Sequence, residues 1–478
     1  MQNKRLVHSA MVYTMLGIIP LASSLILAPI YTHYLKPEEY GLIALANVLQ
    51  TYLSLWVCLS LDGAFSRFYF NNYKDKKKTN EMLSNTLITI LLITFLTSIL
   101  LFFSGDYILK SLFGNTIFSY QNMGWQILFT AGFGMCYAVV ALYFRDSENV
   151  KMFAIIAILY FLLLTGCTYY GVVIAVNGAQ GSITGKMVGT MAVMIPVLIY
   201  LFIKCGFRFK LALTLEMLQY SFPLFIYGIL AAVFDTMDRF FINHYFNLSV
   251  LGQYNFAFVI ASVIGVVIAS YQSAVNPPIY KMFLDKNADN ARRLNELLKR
   301  LIWTALIFAS LCIVLGYYVI HTFINEQYFA SISFIPLLAF SFIPRAYYIA
   351  WSYPLFIENK TKALPVINSI SIIAGILSNL LLIPFIGVYG IAFSLFIIKS
   401  VQAAGAFFMV KKMNIYLPAV FKFKEVNVAS IIFILMVILI TIVPYSSNNY
   451  KFIILIPFLT ITMLFLKNNY VLFNIRKQ

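Results

Sequence analysis

Two basic residues, Arg345 and Lys399, stand deep inside runs of apolar sequence. A cation at the centre of a bilayer costs about 2.5–3.5 kcal/mol on insertion scales, so it faces a wet cavity or pairs with an acid. The choice here is between a cationic cavity for an anionic ligand and a buried ion pair with Glu358 or an aspartate. Lys186 is a third cation in an apolar run, a few residues from its outer end, where snorkelling serves as well as ligand binding. Asp235, Asp238 and Arg239 are the one dense charged cluster inside such a run. Asp235 and Arg239 are four apart with the acid first, an order that favours pairing on one helical face. Asp238 is then left to point elsewhere, as a cation ligand, a protonatable group or a partner for another cation. The alternative is a self-neutralised pair near the outer headgroups. Asp62 and Arg67, five apart, either gate an inner mouth or form an ordinary interfacial pair.

Nothing around these charges has the pattern of a catalytic site. There is no phosphate-cradling loop of P-loop type and no nucleophile with a base beside it. Cys58, Cys136, Cys167, Cys205 and Cys312 lack paired spacing and sit in or beside apolar runs, which argues against a disulfide framework or a zinc site. His33 and His244, each followed by a tyrosine, read as interfacial anchors. No metal or cofactor is expected, and a proton or sodium gradient coupled through Asp235 or Asp238 is the energy source the cluster suggests.

The elements that hold these residues follow from composition. Of 478 residues 61% are hydrophobic and 11% charged, with a mean hydropathy of +0.85. A soluble chain carries roughly 25% charged residues, so this is a polytopic membrane protein. Runs of about 20 apolar residues fall near 9–35, 40–65, 83–103, 123–144, 152–175, 183–203 and 217–246. They continue near 250–275, 301–320, 333–357, 364–384, 388–410, 428–444 and 451–466, about fourteen transmembrane helices in all. The N-terminus lacks a small-residue cleavage signature and reads as the first span rather than a removed signal peptide. With the N-terminus in the cytoplasm, 27 of the 34 lysines and arginines fall on the inner side, four outside and three within spans. That split obeys the positive-inside rule and places both termini in the cytoplasm. It also assigns the net charge of +17 to inner loops and not to a nucleic-acid surface. In this layout Lys399 and Arg345 lie eleven and twelve residues into their spans, near mid-depth at 1.5 Å per residue. The stretch DKNADNARRLNELLKR sets Ala291, Leu294, Leu297 and Leu298 on one face, as a helix on the inner membrane surface or a solvated loop helix.

The chain also repeats itself. His33-Tyr34 and Gly41 recur as His244-Tyr245 and Gly252, displaced by 211, and Tyr69 recurs as Tyr280. The displacement drifts to pair Tyr143 with Tyr353, then Gly178-x-x-Gly181 with Gly387-x-x-Gly390. Such halves build transporters with a central path. The domains are then a six-helix lobe over 1–210, a second over 211–415, and two additional helices with a cytoplasmic tail over 416–478. Arg345 corresponds to Met135, Lys399 to Thr190 and Asp235 to Ser24, so the deep charge belongs to the second lobe.

Ala28-Pro29-Ile30-Tyr31-Thr32, then Leu35 and Pro37-Glu38-Glu39-Tyr40-Gly41, resemble the first hairpin of the Wzx-type polysaccharide flippases. These belong to the multidrug/oligosaccharidyl-lipid/polysaccharide exporter superfamily. Arg67-Phe68-Tyr69-Phe70 before a lysine-rich loop, Asp238-Arg239-Phe240-Phe241-Ile242, and Leu251-Gly252-Gln253-Tyr254 are similar to the same family. So are Lys360-Thr361-Lys362, Asn379, Ile383-Pro384, Gly387 and Gly390, and the likeness spans the chain. The resemblance implies an all-α polytopic membrane protein, with two pseudo-symmetric six-helix lobes around a central cavity and two C-terminal helices. The implied activity is alternating-access transfer of an undecaprenyl-pyrophosphate-linked oligosaccharide, for O-antigen, capsule or exopolysaccharide, across the bacterial inner membrane. Arg345, Lys399, Arg239 and Lys186 would line a cationic cavity for the pyrophosphate, with membrane lipid around the tail. A polysaccharide polymerase and a chain-length regulator are the protein partners such a role brings. The rivals are a lipid II or teichoic-type exporter and a multidrug or cation antiporter. An enzyme such as a polymerase calls for a sizeable outer loop, whereas the outer loops here hold mainly Asp106, Lys110, His321 and Glu326.

Overall fold

The computed structural model describes residues 23–72, 75–114, 119–284, 288–358, 360–413, 423–443 and 449–475. Among them every regular element is helical. In order they are α1 (23–34), α2 (Pro37–Cys58), α3 (Leu61–Asn72), α4 (Lys76–Phe113) and α5 (Trp125–Asp146). Next come α6 (Val150–Tyr169), α7 (Gly178–Cys205), α8 (Leu211–Tyr245), α9 (Leu248–Leu284) and α10 (Ala288–Phe323). The last are α11 (Ile335–Ile357), α12 (Ala363–Ile386), α13 (Val388–Lys412), α14 (Lys424–Ile442), α15 (Tyr450–Ile453) and α16 (Leu455–Ile475).

Among the described residues twelve helical stretches are long and apolar enough to cross a membrane, and a pair bent by 43°, Glu326–Ser333 with α11, makes a thirteenth. Each expected span from residue 40 onward coincides with one of these thirteen. The expected first span, 9–35, lies mostly outside the described residues, and its described part is α1. The chain is thus a multi-pass, all-α membrane protein. Helices are the form that satisfies every backbone group without help from lipid. Prolines inside α7, α8, α11 and α12 are carried without ending the helix.

Two boundaries differ from the hydropathy reading. The run 40–65 is cut by Leu59 and Ser60, both left-handed (φ 48° and 57°), and the chain restarts as α3. The amphipathic stretch after residue 288 does not form a separate surface helix. It continues into the membrane-crossing part of α10 as one 36-residue helix, with Ala291, Leu294 and Leu298 buried. Its polar edge is held by Lys299, which pairs with Glu425 at 3.2 Å and Glu296 at 3.6 Å.

The chain divides into two compact units, Met1–Gly252 and Gln253–Gln478. In the first, α2 packs on α4, α5, α7 and α8, around a core that includes Phe65, Leu83, Cys136, Val140 and Met194. Helix α8 belongs to this unit by packing. Tyr52 and Thr236 share a 3.0 Å hydroxyl hydrogen bond, and Asn243 donates to the Phe113 carbonyl at 3.0 Å. The boundary drawn after residue 210 is one of sequence equivalence, whereas the packing divides at 252. In the second unit α11 and α13 pack most closely, flanked by α10 and α12, and α14 joins through α10 and α11.

Close helix approach in lipid rests on small residues rather than on the hydrophobic effect. At the first repeat position a Cβ on Gly41 would run into the Leu248 carbonyl, and one on Gly252 into the Pro37 carbonyl. At the later repeat Gly178 and Gly387 take the same left-handed conformation, φ 57° and 59°, before α7 and α13. The sequence echo is therefore matched by equivalent backbone geometry in each unit.

Candidate functional site

Helix α11 is buried along most of its length, and Arg345 and Phe356 are its exposed residues. Among the described residues Arg345 makes no hydrogen bond or ion pair, so the expected alternative of a partner in Glu358 or an aspartate is not formed. Its Nη1 lies beside Gly265 of α9, 3.8 Å from where a Cβ would stand. One turn earlier on α11, Phe342 packs against the same glycine and receives Lys399 of α13 on its face, 4.1 Å from the ring centroid. Lys399 is 5% exposed and donates to Ser341 Oγ at 3.2 Å. A desolvated cation over an aromatic face gains about 2 kcal/mol, which offsets part of the burial cost. The second unit thus joins the two mid-depth cations through Phe342 and Gly265, one exposed and one buried.

Lys186 belongs to the other unit. It lies in the first unit on α7 and donates to Asn47 Oδ1 of α2 at 2.7 Å. Asn47 begins a polar stripe on α2 with Gln50, Thr51, Ser54 and Cys58, spaced as one helical face. These residues, with Ser60, Asp62 and Met135, line a cavity of about 500 Å³. Sequence reasoning based on charge passed over this stripe, because its members are neutral; their helical periodicity inside a span was the signal.

Asp62 and Arg67 do not form the interfacial pair. Five residues on a helix separate side chains by roughly 140°, and the left-handed turn at Leu59–Ser60 brings Asp62 into the cavity lining. Its Oδ1 accepts from Cys58 Sγ at 3.6 Å, while the Arg67 guanidinium stacks on Tyr220 at 4.2 Å.

In the charged cluster on α8, Asp238 does not point elsewhere but pairs with its neighbour Arg239. Arg239 Nη1 donates to both Asp238 oxygens, at 2.8 and 3.1 Å, and to the Asp235 backbone carbonyl at 2.9 Å. Both members of that ion pair are buried, whereas Asp235 is exposed. A long arginine can fold back along its own helix, and burial favours the nearest carboxylate that satisfies its donors. Among the described residues no group of three His, Cys, Asp or Glu is placed to hold a metal ion.

Thirteen helical elements among the described residues are long and apolar enough to cross a membrane, with basic residues set deep within two of them. The sequence matches the family described as "Polysaccharide biosynthesis protein" over residues 6–283, more than half the chain, and the protein belongs to that family. Among solved structures it is similar to the lipid II flippase MurJ in an inward closed conformation. That match has a TM-score of 0.70 and 15% identity, and covers 97% of this chain and 100% of the other. It is also similar to a mutant of the Vibrio cholerae MATE transporter VcmN, with a TM-score of 0.60 and 12% identity. There 86% of this chain and 96% of the other are covered. A MATE structure in complex with MaD3S matches with the same score and identity, over 85% and 95%. At these identities the likeness establishes a shared fold. No curated protein matches the sequence.

Proposed function

We propose that this protein is a flippase for an undecaprenyl-pyrophosphate-linked oligosaccharide, moving it from the inner to the outer leaflet of a bacterial plasma membrane by alternating access. The observation that carries this reading is Arg345, a mid-depth guanidinium left exposed and without a hydrogen bond or ion pair among the described residues. Such a group is expensive to keep in a membrane unless an anion meets it. Lys399 of α13, buried against Phe342, adds a second positive charge behind it. A pyrophosphate at Arg345 would receive a planar guanidinium fork, with the buried ammonium adding its field. Family membership supports the glycan part of the reading, since the matched family is one of polysaccharide biosynthesis. The two-lobe division after residue 210, coupling to a proton or sodium gradient through Asp235 or Asp238, and an inner gate at Asp62 and Arg67, which hold separate partners in this conformation, complete the proposal. Polymerase and chain-length partners belong to the same reading.

A cation antiporter would use the fold shared with the MATE structures. Its cavity should be acidic at mid-depth, and the exposed charge on α11 has the opposite sign. Reconstitution tests the proposal directly. Proteoliposomes containing the full chain should move a fluorescent polyprenyl-pyrophosphate glycan between leaflets, and failure to do so, with organic cations transported instead, would reverse the assignment.

A further inference from the structure

The polar face of α2 has work that the scaffold does not require. Asn47, Gln50, Ser54 and Asp62 line the cavity of about 500 Å³, a size within the roughly 300–1,000 Å³ range of small-molecule sites. The displacement of 211 that relates the two halves pairs them with Phe258, Ala261, Gly265 and Ser273 on α9. The same helix in the second unit is therefore built with a ring, a methyl group and a glycine where α2 carries two amides and a hydroxyl. Met135, the repeat equivalent of Arg345, lines this same cavity. One location in the repeated architecture thus holds amides, hydroxyls and the Asp62 carboxylate in the first unit, and an exposed guanidinium in the second.

The hydrogen-bonding capacity of this face is largely unspent. Among the described residues Gln50 and Ser54 make no hydrogen bond. Asp62 accepts only a long contact from Cys58 Sγ, at 3.6 Å. Asn47 takes Lys186 on its oxygen, which leaves its amide donors directed by that bond. From Asn47 to Cys58 the stripe runs for eleven residues, about 16 Å of helix.

We propose that this cavity is a carbohydrate subsite, in which the α2 stripe reads the sugar portion of the lipid-linked substrate. The proposal rests on the flippase reading and gives this first-unit cavity the recognition of the glycan. Amides and hydroxyls both donate and accept, as sugar hydroxyl and acetamido groups do. A carboxylate such as Asp62 accepts two neighbouring hydroxyls and repels phosphate, which suits the sugar end of the ligand and not the anionic end. Sites built from such groups discriminate steeply, because a ligand lacking the matching hydroxyl leaves buried polar groups unpaired.

The test uses the full chain in lipid nanodiscs and two kinds of probe. One is farnesyl pyrophosphate without sugar; the other is the same lipid carrying N-acetylglucosamine, N-acetylgalactosamine, glucose or galactose. At least one glycosylated probe should bind about tenfold more tightly than the bare lipid. The double variant Gln50→Leu/Ser54→Ala should erase that advantage while leaving the bare-lipid Kd within about twofold. Retained bare-lipid binding also shows that the variant is folded, and the milder Gln50→Asn should keep part of the advantage. An advantage that survives in the double variant, or wild-type protein that favours none of the four sugars, overturns the subsite. Arg345→Ala should weaken bare and glycosylated probes alike. If Arg345→Ala has no effect on either, the cationic reading of the second unit fails, separately from the carbohydrate subsite.

Discussion

Tyr69 meets Tyr143 edge to face, with ring centroids 6.2 Å apart and planes at 86°; their repeat equivalents, Tyr280 and Tyr353, meet at 6.3 Å and 82°. A contact that recurs with this geometry in two units shows the repeat as recurring packing rather than as a chance echo of residue types. Edge-to-face pairs of this kind add about 0.5–1.5 kcal/mol beyond area burial. They tie α3 to α5 in one unit and α9 to α11 in the other.

Glycines pressed against a neighbouring helix's backbone should be far less tolerant than glycines in open space. Gly252→Ala places a methyl group against the Pro37 carbonyl, whereas Gly166→Ala adds one in open space. The first is expected to lower stability by about 1–3 kcal/mol, as overpacking does. The second should be neutral or slightly stabilising, since alanine favours helix. Thermal unfolding of the two purified variants in one detergent would compare them.

Arg345→Ala should sharply reduce glycan export yet leave the protein as stable as before. Its side chain has no hydrogen bond or ion pair to lose among the described residues, so unfolding should shift by no more than about 0.5 kcal/mol. Loss of a charge-assisted contact to phosphate is worth about 1.5–3 kcal/mol, or tenfold to a hundredfold in transport. Arg345→Lys should recover part of it. Lys399→Met, by contrast, should reduce transport and also disturb the Ser341 and Phe342 contacts. Normal export by Arg345→Ala cells would remove the cationic patch from the mechanism.

The α8 cluster separates stability from coupling. Asp238→Asn leaves the Arg239 guanidinium buried beside a neutral amide and is expected to cost about 3–5 kcal/mol. Asp238→Asn combined with Arg239→Met should restore most of that stability, because it removes both buried charges of the pair. Asp235→Asn touches an exposed carboxylate. It is expected to make flipping insensitive to an imposed proton or sodium gradient, and unchanged gradient dependence would take Asp235 out of the coupling.

Sequence made the membrane spans and the two mid-depth cations legible, because hydropathy and charge are carried by residue type alone. Pairing was less legible. Asp235–Arg239 spacing pointed to one face, yet the Arg239 side chain is long enough to turn back onto Asp238. The α2 stripe was hidden for a different reason: Asn47, Gln50 and Ser54 are too few and too neutral to interrupt an apolar run. The break at Leu59–Ser60 has no glycine or proline to announce it. It is imposed by surrounding structure, and it is what turns Asp62 toward the cavity.

Asp62 and Arg67 supply a final, quantitative check on that geometry. If they acted as a charge pair at an inner mouth, the substitutions Asp62→Asn and Arg67→Gln would couple, as contacting charged residues do, by about 0.5–3 kcal/mol. The structure sends the two side chains to different partners, Cys58 and Tyr220. Their double-mutant cycle on stability is therefore expected to close to within about 0.5 kcal/mol. Arg67→Gln paired with Tyr220→Leu should instead show the coupling of a cation stacked on a ring, about 0.5–1 kcal/mol at an exposed site. A strong Asp62–Arg67 coupling would mean that the pair closes in another conformation of the transport cycle, and that α3 turns as it does so.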